Sequence, residues 1–363
     1  VAGLQGALEK TLDAKTRDGI ALAVSQVKGC QSCLSAHTCA ECNMARIDDN
    51  KIRLNRLGTG YRLPRRRDRS CTMMVTASPR HVLTQRRLLM SRTIAEKRRA
   101  FRALHEEGCF VLPNPWDVGS ARYLASVGFK AIATTSSGFA WSNGRPDNGV
   151  SRDTVLAHLR DMVRATDLPV NADFENGFGN DPSEVAQSVR MAVDTGVAGL
   201  SIEDSTGDPQ SPLFPVNVAV KRVAAARRAI DEAGGETLLV GRAENFFAGA
   251  PDLEDTIARL RAYAQAGADC LYAPGIQTRE QIEAVVAAVS PKPVNLLIGG
   301  PSAFTLNELA KLGVRRVSVG GALARAAWGG LVTSVQALAD GRFDSLPKQP
   351  SGAWLNAMFK DAE

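Results

Sequence analysis

From Cys109 onward the chain repeats one unit eight times: a short apolar run, a polar or acidic end, then an amphipathic stretch at helical period. No other feature constrains the fold as much. Strands that each run into a helix have no hairpin turn between them, so they pair in parallel and their crossover helices cover the sheet. Strands are expected at 109–112, 131–135, 169–173, 199–203, 238–242, 269–273, 293–297 and 315–319. Helices are expected near 119–127, 152–166, 182–196, 216–234, 252–266, 278–289 and 305–312, with another from Ala322 to about Asp340. Thr195-Gly196-Val197, Ala266-Gly267-Ala268 and Leu312-Gly313-Val314 each put glycine just past a helix, where a left-handed residue ends it. Eight strand–helix pairs in about 250 residues fit a closed (β/α)8 TIM barrel. An open doubly wound sheet is the alternative, and the even spacing favours closure. No βα loop carries a complete Gly-x-Gly-x-x-Gly fingerprint for a dinucleotide.

In such a barrel the C-terminal strand ends form the site. Those ends carry Asn114, Trp116 and Asp117; Ser136, Ser137 and Gly138, with Asp147 beyond; Asp173 and Glu175; Glu203 and Asp204; Arg242 and Glu244; then Pro274-Gly275, Asn295, Ser318 and Gly320-Gly321. Carboxylates on neighbouring strands repel and raise one another's pKa, and a divalent cation compensates them most simply. Helix capping is the competing role for any single acid. A hard cation such as Mg2+, or Mn2+ in its place, would chelate a small anionic substrate through a carboxylate and an adjacent carbonyl, stabilising an enolate. Arg242 has the planar fork that grips a carboxylate, or else it neutralises the surrounding acids. Ser136, Ser137 and Gly138 bring backbone N–H groups near a ligand, glycine because it permits close approach, and Asn295 joins the substrate-binding set. Phe139, Trp141 and Phe246 are expected to set selectivity.

Seven motifs resemble the isocitrate lyase/phosphoenolpyruvate mutase superfamily over about residues 92–345. They are Leu112-Pro-Asn-Pro-Trp-Asp117, Ser136-Ser-Gly138, Gly144-Arg-Pro-Asp147, Asp173-Phe-Glu-Asn-Gly-Phe-Gly179, Ile202-Glu-Asp204, Gly241-Arg-Ala-Glu244 and Ala266-Gly-Ala-Asp269. The resemblance implies a Mg2+-dependent barrel acting on 2-oxo or 2-hydroxy acids by C–C cleavage, decarboxylation or P–C rearrangement. It implies metal ligation by Asp173, with Glu175, Glu203 and Asp147 holding metal-bound waters, and substrate contacts from Ser137, Gly138 and Arg242. The catalytic set is then Arg242, Glu203 and Asp147. It also implies a homo-oligomer, dimer or tetramer, in which a C-terminal helix is exchanged and Trp354 to Phe359 meet a neighbour. The cleaving lyases carry a Cys-containing acid motif after strand 4. Here that loop reads Ser205-Thr-Gly-Asp-Pro-Gln-Ser-Pro-Leu-Phe-Pro215, with no Cys, Lys or His. What remains supports enolate chemistry with another proton source, and the Pro- and Gly-rich loop suits a lid. The leading expectation is therefore a lyase on a small 2-oxo or 2-hydroxy dicarboxylate. A phosphonopyruvate-type mutase or hydrolase is the alternative, motivated by Gly299-Gly300 and Gly320-Gly321, where many barrels seat a phosphate. A binding protein without turnover is a further one.

The first 40 residues read as a helical fragment with Gly29-Cys30-Gln-Ser-Cys33-Leu-Ser-Ala-His37. A helix start lowers the pKa of the first thiol in such a motif, and His37 lies one turn beyond Cys33. Together with Leu12-Asp-Ala-Lys-Thr-Arg17 and Ile20 to Val27, this piece resembles the alkylhydroperoxidase D-like, or carboxymuconolactone decarboxylase, family. The resemblance implies a redox pair in Cys30 and Cys33 with His37 in a proton relay, hence a thiol redox function of a different class. A zinc site from these residues with Cys39 and Cys42 matches no standard finger spacing. Residues 41–89 are Arg-rich without period and read as a basic, disordered linker; a gene junction or frameshift before Met90 would leave the same break. The remaining divisions are a barrel at 90–345 and a C-terminal helix or tail at 346–363.

The net charge of +6 comes mostly from Arg46 to Arg102, so the barrel itself offers no nucleic-acid surface. No run of about 18 apolar residues is present, which argues against a membrane span. Val1 opens a mixed helical pattern rather than a leader, and the seven cysteines form no disulfide framework. A cytoplasmic location is expected.

Overall fold

The computed structural model describes residues 92–344 and 349–360. The expectations for 1–40 and 41–89, including Cys30, Cys33 and His37, fall outside the described residues. Strands β1 (Phe110–Leu112), β2 (Ile132–Ala133), β3 (Val170–Asp173), β4 (Gly199–Glu203), β5 (Leu238–Arg242), β6 (Cys270–Tyr272), β7 (Val294–Leu297) and β8 (Arg316–Ser318) lie within the expected segments. The helices are α1 (Ile94–Ala103), α2 (Val118–Val127), α3 (Ser136–Ser142), α4 (Arg152–Ala165), α5 (Pro182–Asp194), α6 (Val216–Glu232), α7 (Leu253–Gln265), α8 (Arg279–Val289), α9 (Leu306–Lys311), α10 (Ala322–Ala339) and α11 (Gly352–Phe359).

All strand pairs are parallel, in the order β1-β8-β7-β6-β5-β4-β3-β2. β1 and β2 form no ladder, but the Ala133 N–H donates to the Pro113 carbonyl at 3.0 Å across the gap. Asn114 secures the same seam. Its Nδ2 donates to the Thr134 carbonyl, and its Oδ1 accepts from Val319 and Gly320 N–H, each at 2.9 Å. The result is a nearly closed (β/α)8 barrel. Among the described residues no helix is long and apolar enough to cross a membrane.

Local chemistry fixes where each helix begins. Thr93 with Glu96, Asp181 with Glu184, Thr278 with Gln281 and Thr305 with Glu308 form capping boxes. Asp117 does the same for α2 with Ser120, so this acid is a cap and not part of the site. The core lies between strands and helices, around Leu159, Met162, Phe174, Leu200, Ile202 and Leu271. Beneath the strand starts, Phe101 of α1 packs with Phe110, Ala131, Ala198 and Leu238. Lys97 of the same helix donates to the Val163 and Thr166 carbonyls, holding α1 across the floor of the barrel. The site is thereby forced to the opposite end.

Candidate active site

A cavity of about 530 Å³ opens at the C-terminal strand ends. Ser136, Ser137, Asp147, Asp173, Glu203, Arg242 and Asn295 all line it. Seven of the expected site residues thus meet at one place, although they come from five strands.

Arg242 sits at its centre. Its Nη1 donates to Asp173 Oδ1 at 3.1 Å and forms an ion pair with Glu203 Oε2 at 3.0 Å, and its Nε donates to Glu244 Oε1. The guanidinium also lies over the Tyr272 ring, 5.1 Å from its centre. Both roles foreseen for Arg242 bear on this arrangement: it neutralises the acids, while among the described residues Nη2 takes no acceptor. One guanidinium cannot balance the carboxyls of Asp147, Asp173, Glu175, Glu203 and Glu244. Burial raises Glu203 well above the usual carboxylate range while Arg242 pulls it back. Glu175 is pushed up to about 8 by burial, then by Asp173 and Asp147. Asp147 rides on an exposed turn, yet its carboxyl is raised by partial burial at the mouth and by Asp173.

Asp173 is held from both sides. Its backbone N–H donates to Thr134 Oγ1, and its Oδ2 accepts from the Ser136 N–H, both at 2.9 Å. Each carboxylate oxygen keeps a second lone pair. Among the described residues, no three His, Cys, Asp or Glu side chains already converge as a cation cage. The donor chemistry instead fits an ion held through one carboxylate that keeps most of its waters, which is the habit of Mg2+. The carboxyl excess supplies the charge for it.

Glu175 stands behind Asp173 and does not line the cavity. Its φ of 48° and that of Phe178 at 53° are uncommon for side chains of this size, and Gly177 at 80° completes the turn. Arg222, fully buried on α6, ties this turn down by donating to the carbonyls of Asn176, Gly179 and Asn180. The Glu175 carbonyl accepts from Glu203 N–H at 3.0 Å, so the two acids are fixed together.

Four expectations meet a different arrangement in the structure. Gly138 belongs to α3, a helix too short to show a period, and its N–H donates to Thr135 Oγ1. A Cβ at Gly138 would lie 2.7 Å from Thr135 Cγ2 and 3.0 Å from Trp116 Cβ, so glycine is needed there for packing. Asn295 lines the cavity, but its amide is engaged: Nδ2 donates to Ser318 Oγ at 3.0 Å, and Oδ1 accepts from Arg316 Nε at 2.9 Å. Asp204 faces away from the cavity. It accepts from Glu244 N–H, Arg259 Nη1 and the Tyr263 hydroxyl, which places Glu244. The N–H groups of Val319 and Gly320, which a phosphate seat after β8 would use, already serve Asn114.

Sequence reading passed over Tyr272 and the lid side chains Ser205 and Asp208, which also line the cavity. The period of two along β6 puts Tyr272 on the inward face, a signal that was available. The segment after β4 folds on itself over the mouth: Ser205 bridges Leu213, the Thr206 N–H donates to the Pro212 carbonyl at 2.9 Å, and Thr206 Oγ1 donates to the Ser211 carbonyl at 2.6 Å. Phe246 packs beside Gly275, and Phe247 reaches the cavity instead.

Comparison with known proteins gives a consistent outcome. The family model described as phosphoenolpyruvate phosphomutase matches residues 101–339, and that of the carboxymuconolactone decarboxylase family matches residues 1–54. A Burkholderia cenocepacia J2315 crystal structure, described as a candidate lyase or mutase, is similar at 48% identity and a TM-score of 0.72; the match covers 74% of this chain and 98% of that one. Oxaloacetate acetylhydrolase in complex with the product oxalate is similar at 25% identity and a TM-score of 0.65, covering 73% and 94%. The oxaloacetate decarboxylase of Paraburkholderia xenovorans (strain LB400) is 34% identical over 242 residues, 64% of this chain and 77% of that protein.

Proposed function

Because the chain belongs to the phosphoenolpyruvate mutase/isocitrate lyase family, we propose that its barrel is a Mg2+-dependent carbon–carbon lyase acting on a small 2-oxo or 2-hydroxy dicarboxylate. The observation that carries this reading is the ring of acids around one guanidinium, with Asp173 tied to Ser136 N–H in the same cavity. Relatives named for oxaloacetate chemistry support it. Asp173 would hold the ion, and Glu203 and Asp147, which line the same cavity, would hold its waters, while Glu175, expected among them, lies outside the cavity wall. When bound, Mg2+ would polarise the substrate's carbonyl and stabilise developing enolate charge.

The chain's own residues do the rest. Arg242 Nη2 donates to the substrate carboxylate, while Glu203 and Glu244 fix the guanidinium plane. The Ser137 hydroxyl, paired with Thr135 Oγ1 at 3.1 Å, stands at the cavity wall as a further donor. The lid shields the reacting carbon from bulk water. In place of the missing Cys, it brings Ser205 and Asp208 to the cavity wall.

The direct test is a Mg2+-supplemented screen of oxaloacetate, substituted malates, methylisocitrate and phosphonopyruvate, reading the product oxo acid. Turnover of at least one dicarboxylate, stopped by EDTA, is the expected result. Turnover of phosphonopyruvate alone would move the assignment to the mutases, and a folded protein inert on all of them would defeat the enzyme reading.

The family resemblance also leads us to propose a homo-oligomer. Trp328, Leu331, Val332, Val335 and Leu338 are all exposed and recur at helical spacing along α10, while Trp354 of α11 lies 5.9 Å from Tyr123 and is half exposed. An apolar stripe of this kind marks an interface. Light scattering after size exclusion should give a dimer or tetramer, and Trp328→Asp with Val332→Asp should shift it to monomer. A monomeric wild type at micromolar concentration would rule this out.

A further inference from the structure

A second chamber, of about 880 Å³, adjoins the first and is not used by the chemistry above. Ser137, Asp147, Phe247 and Gly320-Gly321 belong to the walls of both, so the two communicate at the edge of the oxo-acid site. Beyond that doorway the character changes. The wall is mainly apolar, with Trp141, Ile276, Leu296, Ile298 and Phe304 beside the polar Gln277 and Ser302, and Asp147 stands at the entrance. Arg325, also in the wall, is exposed and spends an Nη2 donor on the Gly299 carbonyl.

Two glycines form part of the boundary. A Cβ at Gly321 would lie 2.8 Å from Ser137 Oγ and 3.1 Å from the Trp141 ring, and one at Gly320, where φ is +52°, would lie 3.1 Å from Leu297. The backbone therefore packs directly on Ser137, Trp141 and Leu297 and closes one side of the boundary between the two cavities. Trp141, Ile298 and Phe304 remain half-buried against this space, so their apolar surface is available to a ligand.

We propose that this annex receives an apolar substituent of the substrate. The preferred substrate is then a 2-oxo or 2-hydroxy acid bearing a hydrocarbon group of several carbons beside its reacting carbon. The carboxylate and oxo oxygen stay with Arg242 and the acids, and the hydrocarbon crosses the shared boundary on the side of Phe247 and Leu297 to lie against Trp141 and Ile298. This inference rests on the oxo-acid reading of the main cavity.

N-alkyl oxamates test it, because their planar two-carbon head copies an oxo acid and their tail can be lengthened at will. Calorimetric titration of the full chain with Mg2+ present would compare oxamate with its N-methyl, N-butyl and N-hexyl forms. Each buried methylene should tighten binding roughly fourfold, so N-butyl oxamate should bind on the order of fifty times more tightly than N-methyl oxamate. Ile298→Trp should erase that gain and leave oxamate itself unchanged, whereas Phe304→Ala should move the preference towards the N-hexyl form. Equal affinity along the series, or a gain that survives Ile298→Trp, would overturn the annex while sparing the oxo-acid reading. Failure of oxamate itself to bind would overturn both.

Discussion

Asp173→Asn should lower turnover of the cognate oxo acid by about a hundred- to a thousandfold or more, the scale seen when one charge-stabilising group is removed, with little change in thermal unfolding. The side chain is 19% exposed at the end of β3 and meets Ser136 N–H and Arg242. Asparagine keeps its shape and one acceptor. Arg242 retains Glu203 and Glu244, so no buried charge is left alone. The loss would therefore fall on function. An Asp173→Asn protein with near-wild-type turnover would remove Asp173 from the chemistry.

Arg242→Met should act on both fold and function. The guanidinium holds three carboxylates from β3, β4 and the β5 end, and two of these are more than nine-tenths buried. Removing one partner of such a cluster costs about 3–5 kcal/mol, because the remaining charges stay desolvated. The pH dependence has a definite sign. A carboxyl raised in the folded protein binds more protons there than in the unfolded chain, so stability falls as pH rises between the two pKa values. For Glu175 that window runs from 4.5 to about 8, and loss of Arg242, which lowers it, carries it higher. The melting deficit of the variant should thus be larger at about pH 9 than at about pH 6. A deficit that grows on acidification, or none at all, would contradict the picture. Activity should fall with Arg242→Met as steeply as with Asp173→Asn, since the substrate's carboxylate loses its fork.

Where the sequence was readable, its period was the reason. Short apolar runs with acids at their ends placed Asp173, Glu203 and Arg242 at the ends of β3, β4 and β5, and barrel closure brought them together. Glycine just past three of the helices, at Gly196, Gly267 and Gly313, marked the return to the next strand. Tertiary packing decided the rest. Gly138 looked like a ligand contact until the neighbouring Thr135, Trp116 and Ala324 were in place. Asn295 looked free because its partners, Ser318 and Arg316, come from the adjoining strand. Asp204, one residue from Glu203, points the other way along the strand and locks onto Arg259 and Tyr263, distant in sequence. The annex could not be read at all, because its wall combines residues after β2, β6, β7 and β8 that only the closed barrel assembles.

We propose that a cation held at Asp173 and an oxo acid held at Arg242 share one cavity. Calorimetric titration of Mg2+ into the full chain, with and without oxalate, for wild type and Asp173→Asn, tests it most directly. The expected result is saturable Mg2+ binding in the wild type, tightened by oxalate and lost in the variant. Equal Mg2+ binding by Asp173→Asn, or oxalate that binds as well without Mg2+, would contradict it.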